Sequence, residues 1–84
     1  MNAQRDIRTG LVGLVVQGQL CGGRFLKIQD DRAGSTGGLY VLWCDDPAFA
    51  ARVFDDWVED WPALERYFDE LALEVQWPRE GPAP

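Results

Sequence analysis

Gly22-Gly23-Arg24-Phe25-Leu26-Lys27-Ile28-Gln29-Asp30-Asp31-Arg32-Ala33-Gly34-Ser35-Thr36-Gly37-Gly38-Leu39-Tyr40-Val41-Leu42-Trp43-Cys44-Asp45-Asp46 is the stretch on which the fold turns. Its flanks, Arg24 to Gln29 and Leu39 to Cys44, are short, apolar and rich in β-branched or aromatic residues, the composition of strands. The insert between them, Asp30 to Gly38, carries Gly34, Gly37 and Gly38 beside Asp30, Asp31 and Ser35, so the whole reads as a β-hairpin with a long loop. Pairing Leu26 with Leu42 puts Leu26, Ile28, Tyr40 and Leu42 on one face, with Phe25, Lys27, Leu39, Val41 and Trp43 on the other. Neither face is cleanly polar. Such a sheet covers one face with helix and leaves the other partly wet or gives it to a partner.

Working outward, Leu11 to Gln17 is a strand opened by Gly10, and the Gly22-Gly23 pair connects it to the hairpin as a three-stranded antiparallel meander. On the other side, Asp46-Pro47 has the form of a helix start, with Asp as N-cap and Pro at the first helical position. Phe49, Val53 and Trp57 follow at i, i+4 and i+8, with Phe54, Val58 and Trp61 on an adjoining row, which predicts an amphipathic helix toward Asp60. The strand-like pairs Val53-Phe54 and Trp57-Val58 around Asp55-Asp56 leave a stop near Phe54 and an irregular segment as the alternative. Pro62 resets the chain, and a second helix from about Pro62 to Glu70 buries Leu64, Tyr67, Phe68 and Leu71. Leu71, Leu73, Val75 and Trp77 then alternate with Ala72, Glu74 and Gln76, the period of a half-buried strand, which Pro78 ends. The expected class is α+β: the meander plus a C-terminal strand in one sheet, with one or two helices on one face. The 84 residues form one domain, with 1–9 and 79–84 expected to be flexible.

Composition narrows the function classes. Hydrophobic residues make up 46% and aromatics 12%, enough for a compact core despite a net charge of −6. The apolar run Leu11 to Val16 is too short for the core of a secretion signal, and Leu20 stands where processing before Cys21 wants a small residue. No run approaches a membrane span, so the expected compartment is the cytoplasm. Cys21 and Cys44 are read as unbridged thiols; with no His and no closely spaced cysteine pair, the zinc and thioredoxin-like patterns are missing, and no metal or other cofactor is expected.

Catalysis finds no constellation. The only serine, Ser35, lies in a loop, and Gly34-Ser35-Thr36-Gly37-Gly38 sits between strands rather than opening a helix, so a turn accounts for it better than a phosphate cradle. Paired carboxylates are almost guaranteed by composition alone and carry no weight. The chain is therefore read as a non-enzyme. Nucleic acid is also excluded as a partner, because the negative field repels phosphate and Arg5, Arg8, Arg24, Lys27 and Arg32 form no dense patch.

Charge is unevenly placed. Met1 to Cys44 has five basic and three acidic residues, whereas Asp45 to Pro84 has three basic and eleven acidic ones. On a helix, Asp55 faces Glu59 and Asp56 faces Asp60, each pair unfavourable by about 0.2–0.5 kcal/mol. On that reading, reversing Asp56 and Asp60 to Lys leaves the fold intact or slightly more stable. Asp55, Asp56, Trp57, Glu59, Asp60 and Trp61 form the candidate partner-binding set, suited to a basic protein. The bland account of the same residues is a solvated face that keeps a small protein soluble.

The runs Gly22 to Asp31, Thr36 to Leu42 and Asp56-Trp57-Val58-Glu59-Asp60, with Leu64, Tyr67-Phe68 and the closing Val75-Gln76-Trp77, resemble short bacterial proteins encoded beside polymorphic toxins as candidate immunity proteins. The similarity covers about Gly22 to Trp77. It implies a small acidic protein that binds and blocks a toxin domain, often a nuclease, with no chemistry of its own. The alternative is a structural or self-associating domain, a homodimer for example, that uses its open sheet face through Phe25, Val41 and Trp43.

Overall fold

The computed structural model describes residues 6–78, so the flexible ends expected at 1–5 and 79–84 lie outside the described residues. Five strands and one helix follow one another as β1 (Val12–Gln17), β2 (Phe25–Asp30), β3 (Leu39–Cys44), β4 (Phe54–Val58), α1 (Trp61–Glu70) and β5 (Glu74–Gln76). All five strands join one antiparallel sheet in the order β4-β3-β2-β1-β5. The α+β class and the meander stand as expected, with one more strand and one helix fewer than the longer helical reading required.

The hairpin register differs from the expected one by a single residue. Asp31 N–H donates to the Gly38 carbonyl at 2.8 Å and closes the loop, which pairs Asp30 with Leu39, Ile28 with Val41 and Leu26 with Trp43. Opposed residues share a face, so a slip of one exchanges the faces of an entire strand. Leu26, Ile28, Leu39, Val41 and Trp43 therefore lie together on the inner face, each at 0% exposure. Phe25, Lys27, Tyr40 and Leu42 lie on the other.

Helix α1 covers the inner face. Asp60 caps it, its Oδ1 accepting from Ala63 N–H at 2.9 Å, and Pro62 occupies the first turn, where no N–H is needed. Leu64 and Phe68, one helical turn apart, are fully buried against the sheet core, while Tyr67 and Leu71 are half-buried at its margin. Leu73 and Val75 continue the alternation into β5, which pairs with β1 through Val15 and Val75. Gly13 is required where β5 crosses: a Cβ there would run into Val75 and the Trp77 ring.

Residues 6–9 are docked rather than frayed. Ile7 is a core residue, Thr9 bridges to Ile28, and the Asp6 carbonyl accepts from Trp77 Nε1 at 2.8 Å.

Candidate docking surface

The segment from Asp46 to Asp60 departs most from expectation. Asp46 does act as a cap, Oδ1 accepting from Ala48 N–H at 3.1 Å and Oδ2 from Ala50 N–H at 3.0 Å, with Phe49 N–H bonded to the Asp46 carbonyl at 2.9 Å. A single turn results. Phe49 takes a left-handed backbone (φ 54°), which no α-helix continues through, and the chain leaves as an extended segment. The aromatic and branched residues that matched a helical stripe then pair with β3 as β4, Phe54 opposite Trp43, Asp56 opposite Val41 and Val58 opposite Leu39.

This places the acidic candidates differently from a helix. Asp55 and Asp56 are adjacent in a strand and point to opposite faces, so the i,i+4 repulsions with Glu59 and Asp60 do not exist. Asp55 and Trp57 lie on the outer face, opposite Leu42 and Tyr40. Asp56 lies on the inner side of the rim, Asp60 is committed to the cap of α1, and Glu59 is exposed between them. Trp61 is half-buried under the Arg32 guanidinium, which sits 5.4 Å from its ring centre. Arg32 is held there by Asp30 through bonds of 2.9 and 2.8 Å, and these, with the Arg32 backbone N–H, keep the Asp30 carboxyl down at about 2.

Asp56 takes part in a bonded chain from core to rim. Trp43 Nε1 donates to the Tyr67 hydroxyl at 2.9 Å, and that hydroxyl donates to Asp56 Oδ2 at 2.6 Å. The indole N–H of a fully buried tryptophan is thus satisfied by the helix, and the helix by the edge strand. Burial, followed by the Asp56 hydrogen bond, pushes the Tyr67 phenol well above its ordinary value, against a smaller opposing effect of the Trp43 bond. Reversing Asp56 and Asp60 to Lys would therefore remove a rim anchor and a helix cap, which corrects the expectation that the pair is free to change.

β4 ends the sheet, and its outward side is open. Because Asp31 bonds to Gly38, residues 25, 27 and 29 turn their backbone groups toward β3, and Tyr40 and Leu42 turn theirs toward β2. Leu39, Val41 and Trp43 then bond to Val58, Asp56 and Phe54, which leaves the backbone N–H and C=O of Asp55 and Trp57 directed away from the sheet. Residues 53–57 are all exposed, including Val53 at 41%, Phe54 at 42% and Trp57 at 47%. Phe54 rests on Gly22 and carries the Arg52 guanidinium 5.2 Å from its ring centre, and the Trp57 ring rests on Gly38, so both aromatics are held on backbone.

Of the alternative interface residues, Val41 and Trp43 are core and cannot be presented; Phe25 alone is on the outer face, half-buried beside Val12 and Leu14. Val53 and Phe54 stand at the rim, whereas helical spacing assigns them to an apolar stripe. Cys21 and Cys44 are both free, half-buried and buried respectively. Among the described residues, no group of three His, Cys, Asp or Glu side chains is placed to hold a metal ion, and no helix is long and apolar enough to cross a membrane. Comparison of the chain with protein-family models, with curated proteins and with solved structures found no match.

Proposed function

We propose that this chain is a small acidic binding module that docks on a basic protein partner and inhibits or sequesters it, a toxin domain being the kind of partner that the immunity-type resemblance implies. The module has no chemistry of its own and acts in the bacterial cytoplasm. The observation that carries the reading is the rim around β4, where Val53, Phe54 and Trp57 are exposed beside the Asp55, Asp56 and Glu59 carboxylates. Large exposed apolar groups beside a cluster of carboxylates, with the Arg52 guanidinium stacked on Phe54 at one end, fit an interaction surface better than a purely solvated face. Asp60 and Trp61 border that surface as parts of the helix start.

A second reading, self-association, is favoured by the outer sheet face, where Val12, Leu14, Phe25, Tyr40 and Leu42 are half-buried without a helix over them. Salt separates the two. Docking driven by charge weakens between about 0.01 M salt, where the screening length is roughly 30 Å, and about 1 M, where it is roughly 3 Å, whereas apolar self-association holds or strengthens. The test is capture from native lysate on the immobilised chain at low salt, with the bound protein identified and re-titrated. A saturable partner of net positive charge, released by salt and bound more weakly by the Asp55→Lys/Glu59→Lys variant, supports the proposal. Recovery of this chain alone, or a partner indifferent to both salt and the variant, refutes it.

A further inference from the structure

The mode of docking follows from the way β4 is left, on the understanding that β4 is the docking surface proposed above. We propose that the free edge of β4 accepts an extended, lysine- or arginine-bearing segment of the partner protein as an added strand. The outward N–H and C=O of Asp55 and Trp57 form a ladder site with the spacing of a bonded strand pair, and β3 has already fixed its geometry from the other side. An edge of this kind takes up whichever strand it meets unless something discriminates. Here the discrimination is by charge.

Asp55 lies on the outer face of the edge and Asp56 on the inner one, so an incoming strand finds a carboxylate on each face at adjacent positions. Its residues opposite these two are best basic, and those opposite Phe54 and Trp57 best apolar or, at Trp57, a guanidinium that stacks on the ring. The favoured sequence is therefore apolar-basic-basic-apolar. A second copy of this chain does not supply it. Antiparallel pairing of two β4 strands brings the Asp55 and Asp56 carboxylates of both copies onto one rim, where like charges oppose the contact.

The test uses the full chain and the peptide acetyl-Thr-Val-Lys-Arg-Val-Thr-amide in three forms: unmodified, and N-methylated at alternate backbone nitrogens in each of the two possible patterns. Charge and side chains are the same in all three, and only one pattern blocks the edge that faces β4. The expected result at low salt is binding of the unmodified peptide with new exchange protection at the Asp55 and Trp57 amides. One methylation pattern should bind at least about tenfold more weakly than the other, the equivalent of one or two backbone hydrogen bonds. Equal affinity for the two patterns overturns strand addition while leaving a charge-docking surface, which the lysate experiment judges by itself. No binding of the unmodified peptide overturns it as well, and so does self-association of the free chain with the Asp55 and Trp57 amides already protected.

Discussion

Replacing Tyr67 by Phe removes one oxygen atom and breaks the chain from Trp43 to Asp56 in the middle. The two partners respond unequally. Trp43 is at 0% exposure, so its indole N–H loses its acceptor where little water can replace it, and a buried unsatisfied donor costs about 1–3 kcal/mol. Asp56 is exposed and exchanges the phenol for water at little cost. Tyr67 is itself half-buried, which admits some relaxation, so the expected loss is about 2 kcal/mol. For a domain of this size that is a fall in Tm of about 8–16 °C. Urea unfolding at neutral pH measures it, and Asp56→Asn completes a cycle. With Tyr67 present, Asp56→Asn should cost about 0.5–1 kcal/mol, because a charged acceptor becomes a neutral one; in the Tyr67→Phe background it should cost almost nothing. A loss below about 0.5 kcal/mol for Tyr67→Phe, or an equal effect of Asp56→Asn in both backgrounds, would refute the bonded chain.

Three further outcomes follow from the same contacts. Asp60→Ala should destabilise by about 1 kcal/mol in urea unfolding, as loss of an N-cap does, and Asp60→Ser should recover most of it. The Asp56→Lys/Asp60→Lys double variant should be less stable than the parent by more than Asp60→Ala alone, where a helical reading of this segment expects no loss; thermal unfolding decides. The Tyr67 phenol is raised in the folded state, so its contribution is fully present below the ordinary tyrosine value of about 10 and is lost as pH rises above it, since the unfolded chain gives up that proton first. Stability measured across that range should therefore decline, with a shallower slope in Tyr67→Phe.

Much of the architecture was legible because local and tertiary preferences agree. Arg24 to Gln29 and Leu39 to Cys44 are strand-forming by composition, and the Pro62 helix has a proline where only a first turn tolerates it, with Leu64 and Phe68 one turn apart. The register was not legible. A loop of this length does not set pairing as a two-residue turn does; the Asp31–Gly38 bond sets it, and one residue of slip moved Val41 and Trp43 from a supposed interface into the core.

The segment Asp46 to Asp60 failed for a different reason. Phe49, Val53 and Trp57 satisfy a helical period, yet Phe54, Trp57 and Val58 also favour strands, and periodicity does not arbitrate in so short a run. The open side of β3 did arbitrate, since pairing with β4 satisfies backbone groups that a helix would have left exposed. The acidic candidates stayed close in space, but as two faces and a cap rather than as one repelling stripe.

Native-state amide exchange of the free chain tests the open edge of β4 most directly. Phe54, Asp56 and Val58 turn their amides to β3 and should exchange slowly, while those of Asp55 and Trp57 face outward and should exchange at rates near those of an unstructured loop. Slow exchange running through every residue from Phe49 to Asp60 would mean a helix after all, and protection of Asp55 and Trp57 would mean that the edge is already occupied; either result contradicts the docking surface described above.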